Sequence, residues 1–81
     1  MKKNKHSISV NEAAIIIGAS PQFVRIAMQR QILDIGVAMM MPGSKEYTYN
    51  ISANRLAEYS GKNIEEELEK IRSEEFDLAT Y

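Results

Sequence analysis

Ser9-Val10-Asn11-Glu12-Ala13-Ala14-Ile15-Ile16-Ile17-Gly18-Ala19-Ser20-Pro21 carries the signals that decide the fold. Ser9 with Glu12 three residues later forms a capping box. The hydroxyl accepts from the N3 amide, and the carboxylate reaches back to the cap amide. A helix therefore starts at Val10. Ile8 and Ala13 hold the N′ and N4 positions of a hydrophobic staple. Val10, Ala13, Ala14 and Ile17 recur at helical spacing and predict one apolar face. Gly18 supplies the left-handed residue that ends a helix. Ser20 caps again, and Pro21 takes the first helical position, where a missing N–H costs nothing. Two helices joined by Gly18-Ala19-Ser20 read as a helix-turn-helix.

The second helix is expected over 21–31, with Val24, Ala27 and Met28 facing in and Ile32 extending that stripe. Gly36 to Met41 is apolar and extended in character. Pro42-Gly43-Ser44 is a turn signal. Tyr47-Thr48-Tyr49-Asn50-Ile51 alternates aromatic and β-branched residues, as strands do. These predict a hairpin of 37–41 with 46–51, looped around 42–45. Tyr47 and Tyr49 share one strand face, for which core packing is expected. Met39, Met40 and Met41 are expected to alternate between core and surface. The other reading makes them an adaptable binding surface.

Ser52 caps a third helix over 53–59, with Leu56 and Tyr59 facing in and Gly61 ending it. Asn63 caps a fourth over about 64–76. Its Ile64, Leu68 and Ile71 form a stripe that either packs back on the domain or pairs with a second copy as a protein interface. Glu65, Glu66, Glu67 and Glu69 fill the outer face, and acids in the first turns favour the helix dipole. Glu66 and Lys70 stand at i,i+4, and residues beyond Phe76 are expected to fray.

The chain has 81 residues and no cysteine, so neither a disulfide framework nor a cysteine-based zinc site is available. That length suits one small domain, and a chain this short buries only about 60% of its unfolded surface. At 44% hydrophobic and 26% charged the composition is globular. No apolar run approaches the ~18 residues of a membrane span. The basic start, Met1 to His6, is not followed by the apolar stretch of a signal peptide, and a cytoplasmic location is expected.

The formal charge of -1 conceals segregation. Residues 1–30 carry Lys2, Lys3, Lys5, Arg25 and Arg30 against Glu12 alone. Residues 62–81 carry Lys62, Lys70 and Arg72 against seven acids. A basic first part with an acidic tail suits a nucleic-acid face beside a solvated or partner-facing helix, although small chains also segregate charge by chance.

Catalytic chemistry has little to stand on. The lone histidine, His6, has no second metal ligand beside it, and no glycine-rich phosphate loop or cofactor motif is present. The clustered glutamates read as a solvated face. The expectation is a non-enzymatic protein without metal or cofactor.

The order helix, tight turn, helix, hairpin, helix fits a winged helix-turn-helix. Residues 9–25, ending Gly18-Ala19-Ser20-Pro21-Gln22-Phe23-Val24-Arg25, resemble the opening of excisionase-like and MerR-like DNA-binding domains. That pattern has an aliphatic residue, an acid two positions later, then Ala-Ala, a small hydrophobic stretch, Gly, Ser-Pro and Val-Arg. Tyr47 to Ser52 resembles the family's second wing strand running into its third helix, so the likeness covers about residues 7–60. The family commonly has Gly where this chain has Gln31. It also keeps the outer face of its recognition helix polar, where this chain has Phe23 and Ile26, and carries more basic residues at the wing tip than Lys45.

The resemblance implies a mainly α fold with a small β-hairpin. Together with the reading of the residues outside it, this divides the chain into a basic arm over 1–7, a winged helix-turn-helix over 8–61 and an acidic amphipathic helix over 62–81. The resemblance also implies binding of double-stranded DNA in a bacterial, phage or mobile-element setting. The role would be an architectural factor that bends DNA and recruits a recombinase, or a transcriptional regulator, with weak self-association.

The expected DNA-contacting residues are Ser20, Gln22, Arg25, Ile26, Gln29, Arg30 and Lys45, with Lys2, Lys3 and Lys5 as an arm along the phosphates. Ser20 also has the plain role of an N-cap. Phe23 and Ile26 admit three readings: thymine-methyl contact, a protein–protein patch, or core. Core or partner packing is favoured for Phe23, and Ile26 stays open. The alternative function is a protein-interaction module, a small phage-type adaptor or inhibitor that uses Phe23 and Ile26 or the acidic last helix.

Overall fold

The computed structural model describes the backbone of residues 7–79 and the side-chain environments of residues 7–73. The basic arm with Lys2, Lys3, Lys5 and His6 lies outside the described residues. Four helices and one antiparallel hairpin follow in the order α1 (Val10–Ile17), α2 (Pro21–Gln29), β1 (Gly36–Met40), β2 (Tyr47–Ile51), α3 (Ala53–Ser60) and α4 (Ile64–Ala79). The architecture is therefore mostly helical with a two-stranded sheet.

The helix starts are local chemistry. The Ser9 hydroxyl accepts from the Glu12 amide at 3.1 Å, and the Glu12 carboxylate accepts from the Ser9 amide at 3.0 Å. Ser20 caps the Phe23 amide, Ser52 the Arg55 amide and Asn63 the Glu66 amide. Each satisfies one of the amide donors that a helix start leaves without a partner. Gly18 closes α1 at φ 87°, and Gly61 closes α3.

α2 ends two residues earlier than expected. Its last turn is a Schellman motif: the Gln31 amide donates to the Met28 carbonyl and the Ile32 amide to the Ala27 carbonyl. Gln31 takes the left-handed position at φ 59°, the one non-glycine residue with positive φ among those described. This motif turns the chain outward at Ile32, which is 71% exposed, and inward again at Leu33 and Ile35. The expected inward Ile32 is thereby corrected. A left-handed L-residue costs roughly 1 kcal/mol that glycine avoids, partly offset by glycine's freer unfolded chain. Gln31→Gly should accordingly raise the urea midpoint by an amount equivalent to about 0.5 kcal/mol. A fall in the midpoint would mean that the Gln31 side chain supports the turn.

The hairpin pairs Gly36 with Ile51, Ala38 with Tyr49 and Met40 with Tyr47. Met41 lies outside the strand and begins a type II turn, with Pro42 next, Gly43 at φ 81° and the Ser44 amide donating to the Met41 carbonyl at 3.0 Å. The Ser52 amide donates to the Ile35 carbonyl at 2.8 Å and ties the hairpin base to the start of α3.

The core gathers Ile8, Ala13, Ala14 and Ile16 from the α1 region, Val24, Ala27 and Met28 from α2, and Leu33, Ile35, Ile51 and Leu56 beyond. Ile64, Leu68 and Ile71 of α4 complete it. Those three are core residues, so of the two readings of this stripe the structure shows the one in which it packs back on the domain, and not the interface. Ile16, rather than Ile17, is the buried end of the α1 face, and Tyr59 faces solvent rather than the core. Met39, Met40 and Met41 are all exposed, so the run does not alternate into the core. The acid beside Lys70 is Glu67, at 3.7 Å, rather than Glu66. α4 continues through Ala79, beyond the expected end near Phe76.

α4 runs back along α1 and is fastened at two points. At one end, just before α4, Lys62 Nζ donates to the Ile16 carbonyl at 2.8 Å, satisfying an acceptor at the α1 C-terminus. In the middle of α4, Arg72 Nε donates to Glu12 Oε2 at 2.8 Å, and Arg72 Nη2 donates to the Ser7 carbonyl at 2.9 Å and to Glu12 Oε1 at 3.3 Å. Glu12 is 3% exposed, so the carboxylate that caps α1 also anchors α4.

Candidate functional site

α2 has two unlike sides. Val24, Ala27 and Met28 are buried against the core. Gln22, Phe23, Arg25, Ile26, Gln29 and Arg30 are exposed. At 3.6 residues per turn, Gln22, Ile26 and Gln29 fall along the middle of the outer face. Arg25 flanks that stripe on one side, and Phe23 and Arg30 flank it on the other. The helix contains no acidic residue. The outer face therefore combines amides, guanidinium groups and apolar surface, with no carboxylate among them.

Phe23 is 51% and Ile26 is 41% exposed, so neither is a core residue. Of the core or partner packing expected for Phe23, the core half is corrected: rotation of α2 is set by Val24, Ala27 and Met28, and Phe23 falls on the rim of the outer face. Ser20 acts as the N-cap, its hydroxyl accepting from the Phe23 amide at 3.1 Å.

The hairpin is joined to this face by one polar contact. Gln29 Nε2 donates to the Tyr49 hydroxyl at 2.6 Å. Tyr49 is half-buried and Tyr47 is 40% exposed, and their rings lie 6.2 Å apart, tilted by 34°. These tyrosines form a ridge beside α2 rather than core packing for both. The contact was invisible in the sequence, where Gln29 and Tyr49 stand twenty positions apart. The shared strand face of the tyrosines was the only hint.

Lys45 is exposed in the hairpin loop, next to Glu46. The Ser44 hydroxyl accepts from the Glu46 amide at 3.1 Å and donates to the Glu46 carbonyl at 3.2 Å, which shapes the loop around Lys45. Lys45 stands on a different element from the α2 face, and no described contact joins it to that face.

Little else offers chemistry. A shallow cleft of about 410 Å³ lies where the α2–β1 connection meets α3, lined by Met28, Leu33, Gly36 and Ala38. Its charged groups are Asp34 and Arg55, which pair with each other in an exposed bridge. An exposed pair of this kind contributes at most about 1 kcal/mol. Among the described residues no three His, Cys, Asp or Glu side chains are placed to hold a metal ion, and no helix is long and apolar enough to cross a membrane. Comparison with protein-family models, with curated proteins and with solved structures finds no match to this chain.

Proposed function

We propose that the protein is a small sequence-specific DNA-binding protein of winged helix-turn-helix type. Its role is that of an excisionase-like architectural factor or a transcriptional regulator. α2 enters the major groove, and the β1–β2 hairpin serves as the wing against the adjacent backbone. One observation carries this reading: the acid-free outer face of α2 exposes Gln22, Arg25, Gln29 and Arg30 together and is braced to the hairpin through Gln29 and Tyr49. Ser20 brings the α2 N-terminus, with its outward amides, to a phosphate, and Lys45 contacts the backbone from the wing.

Titration into mixed-sequence duplex DNA at about 50 and 200 mM salt tests the reading, because phosphate contacts weaken steeply over that range. Binding should fall with salt. On a selected site, Arg25→Ala should weaken binding by about 1–3 kcal/mol if the guanidinium reads a base. Unchanged affinity at low salt would remove Arg25 from the interface.

The exposure of Phe23 and Ile26 favours a second reading, a protein-interaction module docking through this same face. Absence of duplex binding even at low salt would support it.

A further inference from the structure

We infer that α2 selects an A·T-rich step in the major groove, with Ile26 and Phe23 packed on thymine methyl groups and Gln22 and Gln29 paired with adenines. This inference rests on the DNA-binding reading and adds the base class that the face prefers.

The middle of the outer face reads Gln22, Ile26, Gln29: amide, aliphatic, amide. In the major groove an amide side chain matches the adenine N6 and N7 pair, and an apolar side chain matches the thymine C5-methyl group. Guanine is the partner of arginine, and Arg25 lies off the central stripe. The stripe therefore offers adenine contacts from Gln22 and Gln29 and a thymine contact from Ile26 at its centre, with Phe23, Arg25 and Arg30 at its edges.

Spacing agrees with one short step. Three residues of helix rise about 4.5 Å, close to one base-pair rise of ~3.4 Å, so Phe23 and Ile26 reach neighbouring base pairs. Gln22 to Gln29 spans roughly 10 Å, or about three base pairs.

The Tyr49 contact makes Gln29 a better adenine reader. The bond uses one amide hydrogen, while a bidentate adenine pair uses the carbonyl oxygen and the second hydrogen. With Tyr49 on the amide hydrogen trans to Oε1, the carbonyl oxygen and the cis hydrogen stay available to an adenine, and Tyr49 acts as a positioning residue.

Charge favours nucleic acid over protein as the occupant of this apolar pair. Phe23 and Ile26 stand on a helix with Arg25 within it, Arg30 at its end and no acid. Phosphate on both sides of a groove complements that frame.

The test is selection of bound duplexes from a randomised pool by the full chain. It is followed by replacement of each selected thymine with deoxyuridine, which removes only the methyl group. The selected site should be A·T-rich over about three or four base pairs, and each contacted methyl should be worth about fourfold in affinity. In Ile26→Ala and Phe23→Ala, confirmed folded by circular dichroism, deoxyuridine at the corresponding position should change nothing. A G·C-rich site, or indifference of the wild-type protein to every deoxyuridine, overturns the inference and leaves DNA binding standing. Failure to bind any duplex at low salt overturns both readings and assigns the face to a protein partner.

Discussion

Arg72→Met should cost the fold about 3 kcal/mol, the lower end of what breaking a buried ion pair costs. The guanidinium makes hydrogen bonds to both Glu12 oxygens and to the Ser7 carbonyl. The Glu12 side chain is only 4% exposed, against 29% for Arg72. Removing the guanidinium leaves the carboxylate in a site with little water and without its main counter-charge. Methionine keeps an apolar stem of similar length, so the loss reports the charge rather than a cavity. For a chain of this size 3 kcal/mol corresponds to a fall in melting temperature of about 12–24 °C.

The partner substitution distinguishes the two roles of Glu12. Glu12→Gln keeps the capping box, because glutamine serves at N3 as glutamate does. In Glu12→Gln/Arg72→Met no charge is left behind, and the double variant should be more stable than Arg72→Met alone. A double-mutant cycle gives the coupling directly. An unchanged melting temperature in Arg72→Met would mean that Ile64, Leu68 and Ile71, with the Lys62 contact, hold α4 without the ion pair.

The same two residues show where sequence stops being informative. The capping role of Glu12 is legible because its partner, Ser9, is three positions away. So are the Ser20, Ser52 and Asn63 caps and the Gly18 and Gly61 stops, each set by chemistry within one turn of helix. The second role of Glu12 depends on Arg72, sixty positions on, and no local pattern contains it. Rotation of an element depends on its partners in the same way. Ile15, Ile16 and Ile17 are equivalent by composition, and only the packing of α1 against its neighbours selects Ile16 for burial.

Ile32 lies outside the core for a different reason. Periodicity extrapolates α2 through Gln31 and carries Ile32 inward. The Schellman turn stops the helix at Gln29 and brings Leu33 and Ile35 to the core instead. The resemblance had flagged this position, since Gln31 stands where the family keeps a glycine. On α2 itself Val24, Ala27 and Met28 were readable as the inner face and the polar residues as the outer one, while Phe23 and Ile26 were placed on the outer face only by the structure. The brace of α2 to the hairpin was not readable, since Gln29 and Tyr49 meet only once the strands are registered.

Gly36→Ala should be at least as damaging as the loss of Arg72, and for a steric reason. A Cβ at Gly36 would stand 2.1 Å from the Asn50 carbonyl oxygen and 2.8 Å from the Ile51 Cα. Both are backbone atoms, so no side-chain rotation relieves the clash. Neither neighbour can retreat cheaply. Ile35, just before Gly36, is fully buried, and its carbonyl accepts from the Ser52 amide at 2.8 Å. Ile51 opposite is 5% exposed and part of the same core. Alanine must therefore open the strands at the base of the hairpin, where it joins the core, rather than at its free tip. Overpacking of this kind costs about 3 kcal/mol or more.

Gly43→Ala is the control. Gly43 needs its positive φ but has open space around it, so alanine there should cost only about 1 kcal/mol. A urea midpoint for Gly36→Ala equal to that of the wild type would show that the two strands do not approach as described. Opening at this point also displaces Tyr49, which faces Ala38 two residues along β1 and accepts from Gln29. If α2 reads DNA with its Gln29 amide held by Tyr49, Gly36→Ala should blunt sequence selectivity under conditions where the protein is still folded. Gly43→Ala, at the far end of the hairpin, should leave selectivity intact.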